Sequence, residues 1–442
     1  MKQLFFNATI VNDNHRFNGY VVVDGEFIVK IGEGSPSADI KADKTVDFEG
    51  DFLLPGVIDT HVHFRDGGNG NPKGDISTES QAALAGGVTT YFDMPNTTPP
   101  TIDRDALEMK TAKAARDSKV NYAFYLGATN SNYNELADAD YTRVPGVKLF
   151  MGASTGNMLV DNQSTISRIF SGIKHPIAIH AESQDEITKA TAEVKAQYGE
   201  SEEIPINRHP DIRPRIACVE AAKRAIGLAR QTGARLHILH LSTADEAAMF
   251  SPSLDCKTKQ ITTETCPHYL IFGGKDDYDK FGARVKCNPS IKEKSDREAL
   301  RRAIVDGRID VIATDHAPHL PADKEGGALK AASGMPGVQF SLQLMLTLTK
   351  EIEGLTIERV VELMCHNPAL IFDIDRRGFI KEGYYADIVR VKKETSTIHD
   401  KDVKSRCGWT PYAGFTTDYR VVETWVNGGN KPSQCRFSRK NA

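Results

Sequence analysis

The residues best suited to chemistry begin at Asp59-Thr60-His61-Val62-His63-Phe64-Arg65, just after Leu54-Pro55-Gly56. In an extended strand, residues two apart share a face, so His61 and His63 can aim both imidazoles at one point. Lys148 in GVKLF, His180 ending IAIH, His240 ending LHILH and Asp315 ending VIATD each sit in or at the end of another apolar run. Taken singly, a buried lysine is costly, and a lone histidine usually satisfies a hydrogen bond in the core. Gathered at one end of a common barrel, the six instead describe a divalent-metal centre. Imidazoles with a carboxylate and no thiolate suit Zn²⁺ better than Ca²⁺ or Mg²⁺, with Mn²⁺ and Co²⁺ equally compatible by residue type. Four histidines and an aspartate exceed what one catalytic zinc takes from protein, which leaves room for two ions. As an ammonium, Lys148 would repel them. Burial beside cations favours its neutral amine, which can add CO₂ to give a bridging carbamate. The other reading is an unmodified lysine paired with a buried acid.

These residues must be held by strands. Candidates are VIDTHVHF, VTTYFDM, NYAFYLG, GVKLFMG, IAIHAE, LHILHLS, ITTETCPH and IDVIATDH, mostly separated by Ala-, Glu-, Lys- and Arg-rich stretches. Such alternation predicts parallel βαβ units. Reactive residues at the C-terminal ends of several strands favour a (β/α)₈ barrel over a doubly wound sheet. Before it, LFFNATIV and GYVVVDGEFIVKIG, broken by Asn-Asp-Asn and Asp-Gly, read as β-strands joined by turns. After the helical stretch EIEGLTIERVVELMCHNPALIF, GYYADIVRVKK and DYRVVETWVNG are β-prone again. The expected organisation is a barrel at 53–372 and a discontinuous small β-rich domain from 1–52 and 373–442.

The 442 residues carry 55 Lys+Arg against 59 Asp+Glu, a formal charge of −4, which leaves no basic surplus for nucleic acid or an anionic membrane. No apolar run approaches a membrane span, and the N-terminus lacks the apolar core of a secretory signal. Seven scattered cysteines without a CxxC pair argue against a disulfide framework and for a reducing cytoplasm.

In this order and spacing, PGVIDTHVHFR, AGGVTTYFDMPNTTPP, GVKLFMG, IAIHAES, HILHLST, TETCPHYL, KCNPSI and ATDHAPH resemble the cyclic-amidohydrolase branch of the amidohydrolase superfamily, most closely the dihydroorotases. The resemblance covers about Leu53 to Phe372, and the flanking β segments resemble the family's small composite domain. It implies a binuclear zinc enzyme. His61 and His63 would hold the more buried ion, His180 and His240 the more exposed one, and carbamylated Lys148 would bridge them. Asp315 would bind metal and carry the proton. The implied reaction is reversible hydrolysis of L-dihydroorotate to N-carbamoyl-L-aspartate, a step of de novo pyrimidine biosynthesis, in a cytoplasmic homodimer.

Arg65, two positions past the His pair, could hold a ring carboxylate through a charge-assisted fork. In the dihydroorotases an Arg here and the Asn of Met-Pro-Asn-Thr, which is Asn96, grip that carboxylate; allantoinases have Asn and Leu instead. The resemblance adds His319 as a further carboxylate contact, Asn288 as a ring-amide contact, and Pro336-Gly337 as backbone lining the ring. Where dihydroorotases commonly continue with Glu-Pro-Gly, this chain has Asp66-Gly67-Gly68-Asn69-Gly70, a freer stretch beside the site. The segment from His316 to Gly337 is expected to close over substrate. Glu264 and His268 lie near the seventh strand, which supplies no metal ligand in the resembled family; His268 reads as structural or as supporting the ligands from behind, with direct metal contact the lesser alternative. His237, three residues before His240, is expected on the opposite strand face as a barrel–helix packing residue. The alternatives are another cyclic amidohydrolase of the allantoinase or hydantoinase type, or a catalytically silent scaffold of the same fold.

Overall fold

The computed structural model describes residues 1–66, 71–151, 158–198 and 203–439. The N-terminal strands Lys2–Asn12 and His15–Asp24 form a hairpin. Its two-residue turn puts Asp13 and Asn14 at φ of 51° and 58°, left-handed values that short polar side chains tolerate. Phe27–Glu33 adds beyond the second strand. The first strand kinks at Asn7, φ 53°, and so shares one edge between Lys44–Asp47 and Phe52–Pro55. Ile388–Thr397 pairs antiparallel with Phe52–Pro55, and Thr416–Trp425 completes the sheet. Chain ends far apart in sequence therefore build one sheet, with Phe5, Phe48 and Trp425 packed ring against ring in its core.

From this sheet the chain turns at Gly56 into the barrel. Its strands are Val57–Val62, Val88–Asp93, Asn121–Phe124 continued by Leu126–Gly127, Val147–Phe150, Ile177–His180, Leu236–Ile238, Ile261–Thr265 and Val311–Ile312, every neighbouring pair parallel. The third strand breaks at Tyr125, so one half pairs with the second strand and the other with the fourth. Closure between the eighth strand and the first is made beyond the regular ladder. The His63 N–H donates to His316 O at 2.7 Å, and Asp59 accepts the Thr314 N–H and hydroxyl at 3.1 and 2.6 Å. Ile58, Phe92, Ala123, Tyr125, Ala178, Leu239 and Ala313 fill the interior, and Phe372 and Phe437 plug its base. Large and small side chains alternate there as a packed barrel requires.

All seven cysteines are buried and unpaired. Among the described residues no helix is long and apolar enough to cross a membrane. A buried polar cluster joins sheet to barrel: Arg377 donates to Asp387 at 2.5 Å and to Asn427 at 2.8 Å, while Asn121, at the start of the third strand, donates to Asp387. Replacing Arg377 with Met would leave Asp387 buried without its cation, a loss of about 3–5 kcal/mol. The expected outcome is a large fall in the denaturation midpoint, against no change for Arg116→Ala, whose guanidinium is exposed. Equal midpoints for the two variants would show that this cluster does not hold the sheet to the barrel.

Candidate metal centre and substrate cleft

His61 and His63 leave the first strand side by side, ring centroids 5.4 Å apart, and both point at Asp315 from beyond the eighth strand. Asp315 Oδ1 lies 3.2 Å from His61 Nε2 and 3.1 Å from His63 Nε2. Ligand atoms of these three residues all fall within 4.8 Å of one another. Across the barrel mouth His180 Nδ1 and His240 Nε2 are 2.9 Å apart, and the His240 ring stands 5.4 Å from that of His61. Lys148, 1% exposed, lies in the fourth strand with its Nζ 4.5 Å from the Phe150 ring centroid. It forms no ion pair among the described residues.

Each imidazole except that of His240 is held from behind by an oxygen. His61 Nδ1 is 2.8 Å from Glu264, His63 Nδ1 is 2.8 Å from Asn96 Oδ1, and His180 Nε2 is 3.0 Å from Glu182, which Arg213 also contacts. Such outer partners select the tautomer and leave the other nitrogen to a cation. Burial pushes His63 down to about 4 and His240 and His180 below the usual range, so these rings are neutral at neutral pH. For Asp315 burial opposes ionisation, but the attraction of His61, His63 and His240 outweighs it and keeps the carboxylate charged. Burial lowers Lys148 to about 7. Neutral imidazoles, an ionised carboxylate and a lysine whose proton is loosened by burial suit a divalent transition metal, so the donor set fits one.

The backbone here departs from regular structure. Arg65, His240 and Asp315 all take left-handed φ values of 60°, 40° and 47°. For non-glycine residues these are sparsely populated, and they occur where the surrounding fold over-determines them. At His240 the consequence is visible. The strand ends at Ile238, and the turn at His240 breaks the alternation by which His237 and His240 would face opposite ways. His237 is thus not on the helix-facing side that its spacing predicts. It packs on Phe372, bonds Thr262 at 2.8 Å and stands 3.5 Å from Glu264 inside the barrel.

A cleft of about 370 Å³ opens over these groups. Arg65 forms its most basic corner: Nη2 donates to His319 Nε2 at 2.9 Å, and Lys73 Nζ lies 3.2 Å from His319 Nδ1. Asn96 and Asn288 line the same cleft, the latter with a buried Oδ1 that has no hydrogen-bond partner among the described residues. Arg213, Lys286 and Lys330 add positive charge, and Asp315 is the lining carboxylate among the described residues. One wall, Leu329 to Gly334, belongs to the segment expected to close over substrate. That segment is anchored here by Lys324, whose ammonium donates to the Lys286, Ala332 and Gly334 carbonyls. Pro336 and Gly337 sit behind the wall, bonded to Thr410 and to His316. Residues 67–70 of the glycine-rich stretch lie outside the described residues.

The family model for the amidohydrolase family matches residues 52–430. The chain belongs to the amidohydrolase family. A dihydroorotase of Halobacterium salinarum is 35% identical over 92% of this chain and 91% of its own, and an allantoinase of Bacillus velezensis is 32% identical over 90% and 87%. Among solved structures, the L-hydantoinase (dihydropyrimidinase) of Arthrobacter aurescens superposes with a TM-score of 0.88 at 27% identity, covering 98% of this chain and 96% of that one.

For an amidohydrolase met as a bare sequence, the imidazoles, the lysine and the aspartate at the strand ends were conspicuous and their neighbours were not. Arg213, Lys286, Lys324 and Glu182 lie in irregular segments or read as ordinary surface charges, and nothing in their spacing marks them. Glu264 carried one signal, a carboxylate in an otherwise apolar or hydroxylated strand.

Proposed function

We propose that this amidohydrolase is a binuclear, zinc-dependent dihydroorotase interconverting L-dihydroorotate and N-carbamoyl-L-aspartate. In this reading residues 53–372 are the catalytic unit and residues 1–52 with 373–442 the supporting one. The observation that carries it is the Arg65–His319 contact, with Asn96 on His63 in the same cleft, where cations outnumber the single carboxylate lining it among the described residues. A neutral ring such as allantoin has no use for such a corner, whereas a ring carboxylate gains charge-assisted hydrogen bonds there.

His61, His63 and Asp315 would hold one ion, His180 and His240 the other, and Lys148 as its carbamate would join them. When bound, these ions would supply water activation at neutral pH and polarisation of the amide carbonyl. Asp315, held ionised between two imidazoles, accepts the proton lost by the attacking water and returns it to the departing ring nitrogen. Arg65 and the Asn96 carboxamide, whose Oδ1 is engaged by His63, grip the carboxylate and fix the ring's orientation. Asn288, which lines the same cleft, would make the ring-amide contact.

Zinc-loaded protein offered dihydroorotate, allantoin and hydantoin should open only the first, and Arg65→Ala should raise the KM for dihydroorotate by about tenfold or more. Turnover of allantoin by the unaltered chain, or an unchanged KM in the variant, would sink the substrate assignment. Asp315→Asn should lower kcat by roughly 10²–10⁴-fold with zinc still bound; near-normal turnover would remove it from proton transfer. Because Lys148 titrates near 7, its neutral amine gains as pH rises through that value. Zinc uptake by chelator-treated protein should therefore rise with pH across it and require dissolved CO₂, and uptake indifferent to CO₂ would rule out the carbamate.

A further inference from the structure

Glu264 belongs to the seventh barrel strand, which contributes no member to the group of His61, His63 and Asp315. It is fully buried, and a carboxylate in such a place persists only if its lone pairs are occupied. Its Oε1 is 2.8 Å from His61 Nδ1 and accepts the His240 backbone N–H at 3.4 Å. Its Oε2 accepts the Thr60 hydroxyl at 3.1 Å and faces His237 Nε2 at 3.5 Å. The Glu264 backbone carbonyl accepts the Leu241 N–H at 2.7 Å, so the residue is tied at two points to the turn just past the sixth strand.

A carboxylate only accepts hydrogen bonds, and Glu264 at 2.8 Å lies closer to His61 Nδ1 than Asp315 does to Nε2 at 3.2 Å, so Glu264 draws the proton to Nδ1 and leaves Nε2 as the nitrogen offered to an ion. We infer that Glu264 is a positioning residue for the metal centre: it fixes the His61 tautomer and ties down the His240 backbone, preparing both halves of the site before any ion arrives. His63 receives the corresponding support from the neutral carboxamide of Asn96, and His180 receives it from Glu182. Of these three supports, Glu264 alone touches residues from both halves, His61 and the His240 backbone. The inference rests on the metal centre proposed above and not on its substrate.

The test is a Co²⁺ titration of chelator-treated full-length protein, read by cobalt absorption and by metal content after gel filtration. Glu264→Leu should bind Co²⁺ roughly 10–100-fold more weakly. Glu264→Gln retains an acceptor oxygen for His61 and should recover part of that loss. Variants that are folded by circular dichroism and bind Co²⁺ as tightly as the unaltered chain would overturn the inference. Should both variants fold poorly, ¹⁵N NMR of the metal-free unaltered protein decides: a His61 Nδ1–H tautomer supports the inference and an Nε2–H tautomer refutes it. Co²⁺ uptake needs no substrate, so absent turnover of dihydroorotate would remove the substrate assignment and leave this result standing.

Discussion

The hydrogen bond from the His63 N–H to the His316 carbonyl, with the Asp59–Thr314 contacts below it, closes the barrel, and the site depends on that closure. The first and eighth strands are the two most distant in the barrel's sequence. Only when they are joined does Asp315 reach His61 and His63. The Asp59 carboxyl is pushed up to about 6 by burial, against the hydrogen bonds it accepts. The energy of the seam is thus coupled to the geometry of the metal donors, and a slip of the eighth strand would lose both together.

Low dielectric then sets the chemistry. Burial holds the His63, His180 and His240 imidazoles and the Lys148 ammonium below their usual ranges, while its imidazole neighbours hold Asp315 below the usual carboxylate range despite burial. The same burial makes polar groups at the barrel mouth effective toward a ligand, because little solvent competes with them. Left-handed backbone at Arg65, His240 and Asp315 belongs to the same economy of constraints. Each aims a side chain where regular strand geometry would not, and the packed barrel beneath holds it there.

Much of this was legible in the linear chain. Alternating apolar runs and helical stretches specify the strands, since burial on both faces of a parallel sheet demands near-continuous hydrophobes. The His61 and His63 pair, Lys148, His180 and Asp315 stand out because charge or imidazole in an apolar run carries a desolvation cost that needs a reason. His237 shows the limit of that approach. Counting residues along a strand assumes that the strand continues, and here it stops at Ile238.

What the sequence by itself determined is therefore the element order, the barrel with its flanking β segments, and the identity of the side chains at the strand ends, because these follow from local periodicity and transfer energies. What only the tertiary structure decided is who stands behind whom: Glu264 against His61, Asn96 against His63, Glu182 between His180 and Arg213, and Lys324 clamping the cleft wall. Those pairings join residues distant in the chain across an interior where direction matters as much as distance. Hydrogen bonds there depend on strand register and on a few left-handed residues, and no local rule of composition or spacing encodes either.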